Sequence, residues 1–294
     1  MSAERTSGRT GGRSGERPAD PEPLPSPVVD NHCHLDIAPY AAPDEPVPVA
    51  HALARAAAVG VPRIVQIGCD LPGARWARQT ANEFDAIVAG VALHPNVAPR
   101  LAAAGTLEEA LAEIADLATD PRVRAVGETG LDHFRTGPDG LEAQERSFRR
   151  HIELAQELGK TLVIHDRDAH ADVLRVIDET GAPDRWVMHC FSGDAAFALD
   201  CLERGAYLSF AGTVTFKNAQ PLRDALLAAP LDRILVETDA PYLTPEPNRG
   251  RPNASYLVPS TVRAMAAVRD EDLTDLCRAI DANTDRAFGG TWGP

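Results

Sequence analysis

Short apolar runs rich in β-branched residues recur along the chain from residue 28 onwards, and longer segments separate them. Segments such as residues 106–118 and 141–158 carry apolar residues at i, i+3, i+4 and i+7, the spacing of one helix face. Strands that alternate with helices are typical of parallel βαβ units. The runs that we interpret as strands are residues 28–32, 63–68, 86–93, 123–128, 161–165, 185–189, 206–210 and 233–238.

The number of these units indicates the fold class. Eight strand–helix units in about 260 residues predict an α/β fold of the (β/α)8 TIM-barrel type. A doubly wound open sheet is the alternative, but no run opens a helix with a GxGxxG or GxxxxGK[ST] phosphate loop. The helical pattern of residues 271–288 is expected to close the last unit. We therefore assign residues 28–294 to one barrel domain.

The first 27 residues differ from the rest in composition. They are rich in Gly, Pro, Ser and Arg and lack an apolar core, so we expect a disordered N-terminal tail and neither a signal peptide nor a membrane helix. No run in the chain approaches the roughly 18 consecutive apolar residues of a membrane span. We therefore expect no membrane partner.

The five cysteines are scattered and never in CxxC spacing, which is typical of a cytoplasmic protein with reduced thiols. Cys33 and Cys190 are adjacent to histidines, but neighbours on a strand point to opposite faces, so both thiols are expected in the apolar core. The net charge of -14 argues against a protein that coats duplex nucleic acid. It does not exclude a pocket whose positive charge comes from metal ions.

Polar residues end several of the predicted strands, where barrel enzymes place their active sites. Of the nine histidines, four end or directly follow a predicted strand. His32 and His34 at the end of the first run are two residues apart, and this spacing puts both side chains on the same face of an extended segment. The sequence thus predicts a metal site built from His32, His34, Glu128, His165, His189 and Asp239.

The ligand types restrict the metal without identifying it. Four imidazoles and two carboxylates are more than one ion needs, so we expect two divalent ions that share a bridging carboxylate. Mg²⁺, Mn²⁺ and Zn²⁺ are all compatible with these ligands, as are Fe²⁺ and Co²⁺.

The motifs around these residues resemble the TatD family of metal-dependent hydrolases, in the amidohydrolase-like superfamily. The resemblance implies a two-metal deoxyribonuclease or related phosphodiesterase that trims single-stranded 3′ ends. One departure is RPNAS at 251–255, where the family more usually reads R-N-E-P. The motifs are DNHCHLD (30–36), GVALHP (90–95), GETGLDHF (127–134), HDRDA (165–169), HCFSG (189–193), SFAGTVTFKNA (209–219) and ETDAPYLTPEPNRGRPN (237–253).

The resemblance also implies a role for each ligand. His32, His34 and Asp239 would hold one ion, His165 and His189 the other, and Glu128 would bridge them. Asp239 is the expected general base for the attacking water. His94 is a candidate for a hydrogen bond to the phosphate or leaving group, with a turn histidine before proline as the alternative, and Asp132 is expected to orient a ligand. The candidates for phosphate contacts are Arg135, Arg167, Lys217, Arg249 and Arg251, with a solvated surface charge as the alternative for all but Arg167. For the aromatic residues Phe134, Phe191 and Tyr242 we expect core packing rather than base stacking.

Three functions are compatible with this sequence. The first is a metal-dependent exonuclease with single-stranded DNA ends as substrate and no obligate protein partner. The second keeps the metals but hydrolyses an ester or amide, such as an aminoacyl-tRNA or a lactone, because the same activated water attacks carbonyl carbon. The third is a non-catalytic metal-binding or nucleic-acid-binding protein, against which the complete ligand set argues.

Overall fold

The computed structural model describes residues 16–38 and 47–293. Within these ranges eight parallel strands form one sheet in the order β1 to β8. Each predicted apolar run overlaps one strand, so the predicted barrel is confirmed. The strands are β1 (Val29–Cys33), β2 (Arg63–Gly68), β3 (Ile87–Val91), β4 (Val123–Asp132), β5 (Thr161–Arg167), β6 (Trp186–Met188), β7 (Tyr207–Phe210) and β8 (Ile234–Val236).

Helices connect the strands, and local sequence sets their ends. The side chains of Asp70, Asp194 and Asp272 accept hydrogen bonds from backbone N–H groups in the first turns of α2, α7 and α10. None of the described helices is long and apolar enough to cross a membrane. The helices are α1 (Val49–Ala58), α2 (Leu71–Glu83), α3 (Ala98–Ala103), α4 (Leu107–Leu117), α5 (Pro138–Leu158), α6 (His170–Thr180), α7 (Ala195–Glu203), α8 (Gln220–Ala228), α9 (Val258–Arg269) and α10 (Leu273–Ala287).

Two apolar layers stabilise the barrel. One fills its interior with side chains from all eight strands, and Phe288 and Trp292 cover the end opposite the cavity described below. The larger layer lies between the strands and the surrounding helices and includes Phe148, Ile152 and Trp186. Interior residues that contribute to the first layer are Val29, Val65, Ile67, Val88, Ala125, Val163, Val187, Tyr207 and Leu235.

Hydrogen bonds between β1 and the segment after β8 close the barrel. The buried carboxylate of Asp30 accepts from the backbone N–H of Thr238 at 2.9 Å and from its hydroxyl at 2.6 Å. Two backbone bonds continue this closure: Asp239 N donates to His32 O at 2.9 Å, and His34 N donates to Ala240 O at 2.8 Å. The closure therefore runs through three of the predicted ligands.

Two strands depart from regular pairing at the predicted ligands. The register of β1 against β2 shifts between Asp30 and Cys33, and that of β4 against β5 shifts between Val126 and Thr129. Such irregularities re-aim side chains and are common near active sites. His32 and Glu128 lie inside these two intervals.

The structure describes part of the predicted tail. Residues 1–15 lie outside the described residues. Residues 16–27, which we also predicted to be disordered, follow the surface of the barrel: Leu24 is buried and its N–H donates to Val59 O at 3.1 Å. The hydroxyl of Tyr256 donates to Pro18 O at 2.8 Å. Pro18 and Leu24 are buried, and together with these hydrogen bonds they position a segment whose composition alone indicates disorder.

Gly130 provides a stability test of β4. Its φ is +139°, and a Cβ there would lie 2.0 Å from the backbone oxygen of His165, its partner on β5. Because Gly130 lies within the ladder that pairs residues 129–132 with β5, the backbone has little freedom to move away from His165. We expect Gly130→Ala to lower the free energy of unfolding by about 2–4 kcal/mol, measured by urea unfolding. Gly137→Ala, where a Cβ meets nothing within 4 Å, is the control. Equal midpoints for the two variants would contradict this account.

Candidate metal centre

A cavity of about 560 Å³ opens at the C-terminal ends of the strands, and most of the predicted ligands line it. His32 is fully buried beneath the cavity, where its ring stacks on that of His189 at a centroid distance of 3.8 Å. The predicted ligands therefore converge on one end of the barrel. Those that line the cavity are His34, Glu128, His165, His189 and Asp239.

Glu128 lies at the centre of this cluster, and its two carboxylate oxygens face different histidines. Its Oε1 is 3.8 Å from His32 Nε2 and 3.7 Å from His34 Nε2. Its Oε2 is 2.8 Å from His189 Nε2 and 3.3 Å from His165 Nδ1. The carboxylate thus lies between two pairs of histidines. His32 and His34 at the end of β1 form one pair, and His165 on β5 and His189 directly after β6 form the other.

Asp239 lies with the β1 histidines. Its Oδ1 is 3.4 Å from His34 Nε2 and 3.9 Å from His32 Nε2. Its backbone has a φ of +52°, an uncommon conformation for a non-glycine residue that often marks a functional position. The barrel closure at His32 O holds this backbone in place.

Three of the four histidines direct their second ring nitrogen to a fixed oxygen. Such outer partners orient a metal-binding imidazole and set its tautomer. The fourth, His32, has no hydrogen bond at either nitrogen. The outer pairs are His34 Nδ1 with Ile67 O at 3.0 Å, His189 Nδ1 with Glu237 Oε1 at 3.1 Å, and His165 Nε2 with Asp132 Oδ2 at 3.5 Å.

The cluster contains buried polar atoms without hydrogen-bond partners. These are both ring nitrogens of His32. Oε2 of Glu128 and Nε2 of His165 also lack a hydrogen bond of good geometry, although His189 Nε2 lies 2.8 Å from the first and Asp132 Oδ2 lies 3.5 Å from the second. An unsatisfied buried polar group costs about 1–3 kcal/mol, and a cation would satisfy the ones that face the centre. Three groups also have ligand atoms within 4.8 Å of one another: His32 with His189 and Asp239, His32 with His34 and Glu128, and His94 with Glu128 and His165. The donors present therefore fit divalent metal ions.

Charge interactions shift the pKa values in the cluster. Burial alone would lower the pKa of His34, but the hydrogen bond and charge of Asp239 and the charge of Glu128 outweigh it and raise that pKa to about 9. The same opposition raises the pKa of His189 well above its ordinary value, through Glu128 and Glu237. Burial lowers the pKa of His32 well below the ordinary value, and the charge of His189 adds to this effect. Positive charge therefore stabilises the carboxylates of the cluster, and either protons on the histidines or metal ions can supply it.

His94 has the geometry of a hydrogen-bond donor. Its Nδ1 accepts from the backbone N–H of Asn96 at 3.0 Å, so the neutral ring carries its proton on Nε2. Burial lowers the pKa of His94 to about 4, which keeps the ring neutral at pH 7. It lines the cavity next to His165, at a ring centroid distance of 4.5 Å. This tautomer favours donation into the cavity over metal binding through Nε2.

The structure brings only some of the predicted phosphate contacts to the cavity. Arg135 and Arg167 line it. Lys217, Arg249 and Arg251 do not, and the guanidinium of Arg249 lies over the Phe216 ring, 4.1 Å from its centroid. The reason is that these three residues lie in longer loops, whose path does not follow from strand position.

The aromatic residues and cysteines differ in part from expectation. Phe191 and Cys33 are buried as predicted. The prediction of core packing is wrong for Phe134, which is 63% exposed, and for Tyr242, which lines the cavity. Cys190 also lines the cavity, because its φ of +43° breaks the strand geometry on which the prediction depended.

Sequence reasoning missed three residues of the centre. Glu237 is fully buried and contacts His189, and its spacing of two from Asp239 repeats the signal of His32 and His34. The Cys69 thiol donates to Glu128 Oε1 at 3.1 Å. Asn96 donates to Asp132 Oδ2 at 2.8 Å. No motif marks the last two, which follow the ends of β2 and β3.

Comparison with known proteins identifies the family that this chain resembles. Residues 29–289 match the family described as TatD related DNase. The "uncharacterized metal-dependent hydrolase TatD" of Mycobacterium tuberculosis is 43% identical over 269 residues, covering 90% of this chain and 99% of the relative. The "3'-5' ssDNA/RNA exonuclease TatD" of Citrobacter rodentium is 34% identical over 250 residues, covering 81% and 91%.

A solved structure supports the same relationship. The TatD homologue YJJV from Escherichia coli K12 superposes with a TM-score of 0.78 at 28% identity, covering 90% of this chain and 98% of that one. The family match spans nearly the whole barrel, and the relatives align over almost their full length. The chain belongs to the TatD-related DNase family of metal-dependent hydrolases.

Proposed function

We propose that the protein uses two divalent metal ions to hydrolyse phosphodiester bonds at single-stranded DNA 3′ ends. The observation that carries this proposal is the position of Glu128, whose two oxygens face two separate pairs of histidines. A carboxylate in this position is suited to bridge two cations. In a single-metal site the second pair of histidines would have no cation to bind.

Each pair of histidines belongs to one proposed metal position. His32 and His34, with Asp239, would hold one ion, and His165 with His189 would hold the other. When bound, such ions stabilise charge on phosphoryl oxygens and lower the pKa of water. Glu237 and Asp132 hold the rings of His189 and His165 in the orientation that this requires.

The other polar groups at the cavity have separate tasks. Asp239, whose side chain is 15% exposed, is the proposed acceptor of the proton from the water that attacks phosphorus. His94, with its Nε2–H, is the proposed donor to a phosphoryl or leaving-group oxygen. Arg135 and Arg167 are the cations of the lining, and the fork of a guanidinium suits phosphate oxygens.

Nuclease activity on single strands is supported by the name of the Citrobacter rodentium relative. Purified protein loaded with Mg²⁺, Mn²⁺ or Zn²⁺ should release nucleotides from 3′-labelled single-stranded DNA. A panel of carboxyl esters and an aminoacyl ester should stay intact under the same conditions. Ester cleavage without nucleotide release would favour the alternative, a metal-dependent ester or amide hydrolase.

Replacement of Glu128 tests the bridging role. We expect Glu128→Ala to lose metal at both positions, together with activity, because neither ion would keep its full set of ligands. Elemental analysis of the dialysed protein, alongside the nuclease assay, measures this. Glu109→Ala, which removes an exposed carboxylate on α4, should bind metal like the parent protein. Full metal content in Glu128→Ala would exclude the bridge.

Replacement of Asp239 separates base catalysis from metal binding. Asp239→Asn keeps the shape and one neutral oxygen ligand, so we expect much of the metal to stay bound. Loss of a general base lowers turnover by about 10²–10⁴-fold. Asp116→Asn, at an exposed position of α4, is the matched control. If Asp239→Asn with bound metal turns over like the parent protein, Asp239 is not the base.

Metal binding should depend on pH through the histidines. The pKa of His34 is raised to about 9, so this ring is protonated at pH 7 in the metal-free protein and must lose its proton to bind a cation. Metal affinity should therefore rise as pH increases towards 9, with protons released on binding. Calorimetric titration with Mn²⁺ in two buffers of different ionisation enthalpy measures this release. The same heat in both buffers would contradict it.

A further inference from the structure

Phe134 is the most exposed of the large hydrophobic side chains that the described residues present, at 63%. A single exposed apolar residue is common on protein surfaces and needs no explanation by itself. Phe134, however, lies two residues beyond the end of β4, next to residues that line the cavity. Its neighbour Arg135 lines that cavity. The ring is therefore exposed directly beside the cavity.

The turn that carries Phe134 is well fixed. The N–H of His133 donates to Arg167 O at 2.9 Å, and the N–H of Arg135 donates to the carboxylate of Asp132 at 2.8 Å. The Thr136 hydroxyl donates to Asn96 Oδ1 at 3.1 Å. Residues on both sides of Phe134 are thus held by hydrogen bonds. Exposure of the ring is a property of an ordered turn.

Arg167 covers the ring on one side. Its guanidinium carbon lies 4.0 Å from the centroid of Phe134, within the range of a cation–π contact. Arg167 also lines the metal cavity. The pair thus presents an aromatic surface and a positive charge next to each other.

The pair lies close to the proposed reaction centre. Asp132, from which the turn begins, has its Oδ2 3.5 Å from Nε2 of His165. Two residues of chain span at most about 7 Å, so the Phe134 backbone is within that distance of Asp132. A nucleotide whose phosphate is at the metals would place a neighbouring base within reach of the ring.

We propose that Phe134 and Arg167 form a stacking platform for an unpaired nucleobase next to the scissile phosphate. The inference rests on the proposed phosphodiesterase function and adds the feature that selects single strands. Aromatic rings and arginine stack on bases of any sequence, and a cation beside them contacts the backbone. In a duplex, pairing and stacking fix the orientation of each base, so the platform favours unpaired ends, whose bases can turn onto the ring.

Binding measurements test the platform separately from cleavage. The probes are a fluorescent single-stranded oligodeoxynucleotide and the same strand with abasic residues at its 3′ end, each titrated by anisotropy with Mn²⁺ present. The Asp239→Asn background suppresses cleavage during the titration. We expect Phe134→Ala to weaken binding of the intact strand by about 5- to 150-fold and to leave binding of the abasic strand unchanged. Phe134→Trp should restore the loss.

Two further variants make the test specific for stacking. Phe134→Leu keeps an apolar side chain without a π face and should behave like Phe134→Ala. Leu227→Ala removes another exposed apolar side chain, 53% exposed on α8, and should bind both strands like the parent. Metal content should be equal in all variants. Unchanged binding in Phe134→Ala, or full binding in Phe134→Leu, would overturn the platform.

Cleavage by otherwise wild-type protein distinguishes the two proposals. Both proposals hold if the wild-type protein degrades the intact strand and Phe134→Ala lowers kcat/KM by the same factor by which it weakens binding of that strand. If the parent cleaves neither strand but Phe134→Ala still weakens binding of the intact one, the proposed function fails and the platform stands. Equal cleavage of the intact strand by the parent and Phe134→Ala contradicts the platform alone.

Discussion

The closure of the barrel between β1 and the segment after β8 is the interaction on which the centre depends. Asp30 and Thr238, 208 residues apart, are joined by two hydrogen bonds to a fully buried carboxylate. Burial raises the pKa of Asp30 to about 6, against the opposing hydrogen bonds from Thr238. This closure brings Asp239 to the β1 histidines, so one set of contacts completes both the fold and the ligand set.

The second constraint is electrostatic. Burial disfavours the charge of Glu128, yet the neighbouring histidines hold its pKa well below the ordinary range. The buried carboxylate is therefore stable only among groups that carry positive charge. In a protein with a net charge of -14, this requirement for positive charge is local to the cluster. It is compatible with an acidic surface and with the proposed substrate, which is an anion. Histidines whose second ring nitrogen has a fixed partner already face Glu128, so they need no rearrangement to hold positive charge there.

The rim of the cavity follows different rules from its floor. Floor residues such as His165 and His189 are positioned by strands or by the residues directly after them, whereas the rim is made of turns that side-chain hydrogen bonds hold. Asp132 belongs to both, because it contacts His165 and also fixes the turn that displays Phe134. Asp132 therefore fixes the position of the proposed stacking platform relative to the proposed reaction centre.

The sequence by itself determined the eight strands, their alternation with helices and the six polar residues at the strand ends. These follow from local periodicity and from the rule that the C-terminal ends of barrel strands meet at one mouth. Only the tertiary structure decided which oxygen of Glu128 faces which histidines, because the strands depart from regular register at His32 and Glu128. It also decided that Glu237 and Cys69 contact the centre, that Phe134 is exposed, and that Lys217 lies away from the cavity. Those outcomes depend on loop paths and on contacts between distant residues, which leave no periodic signal in the chain.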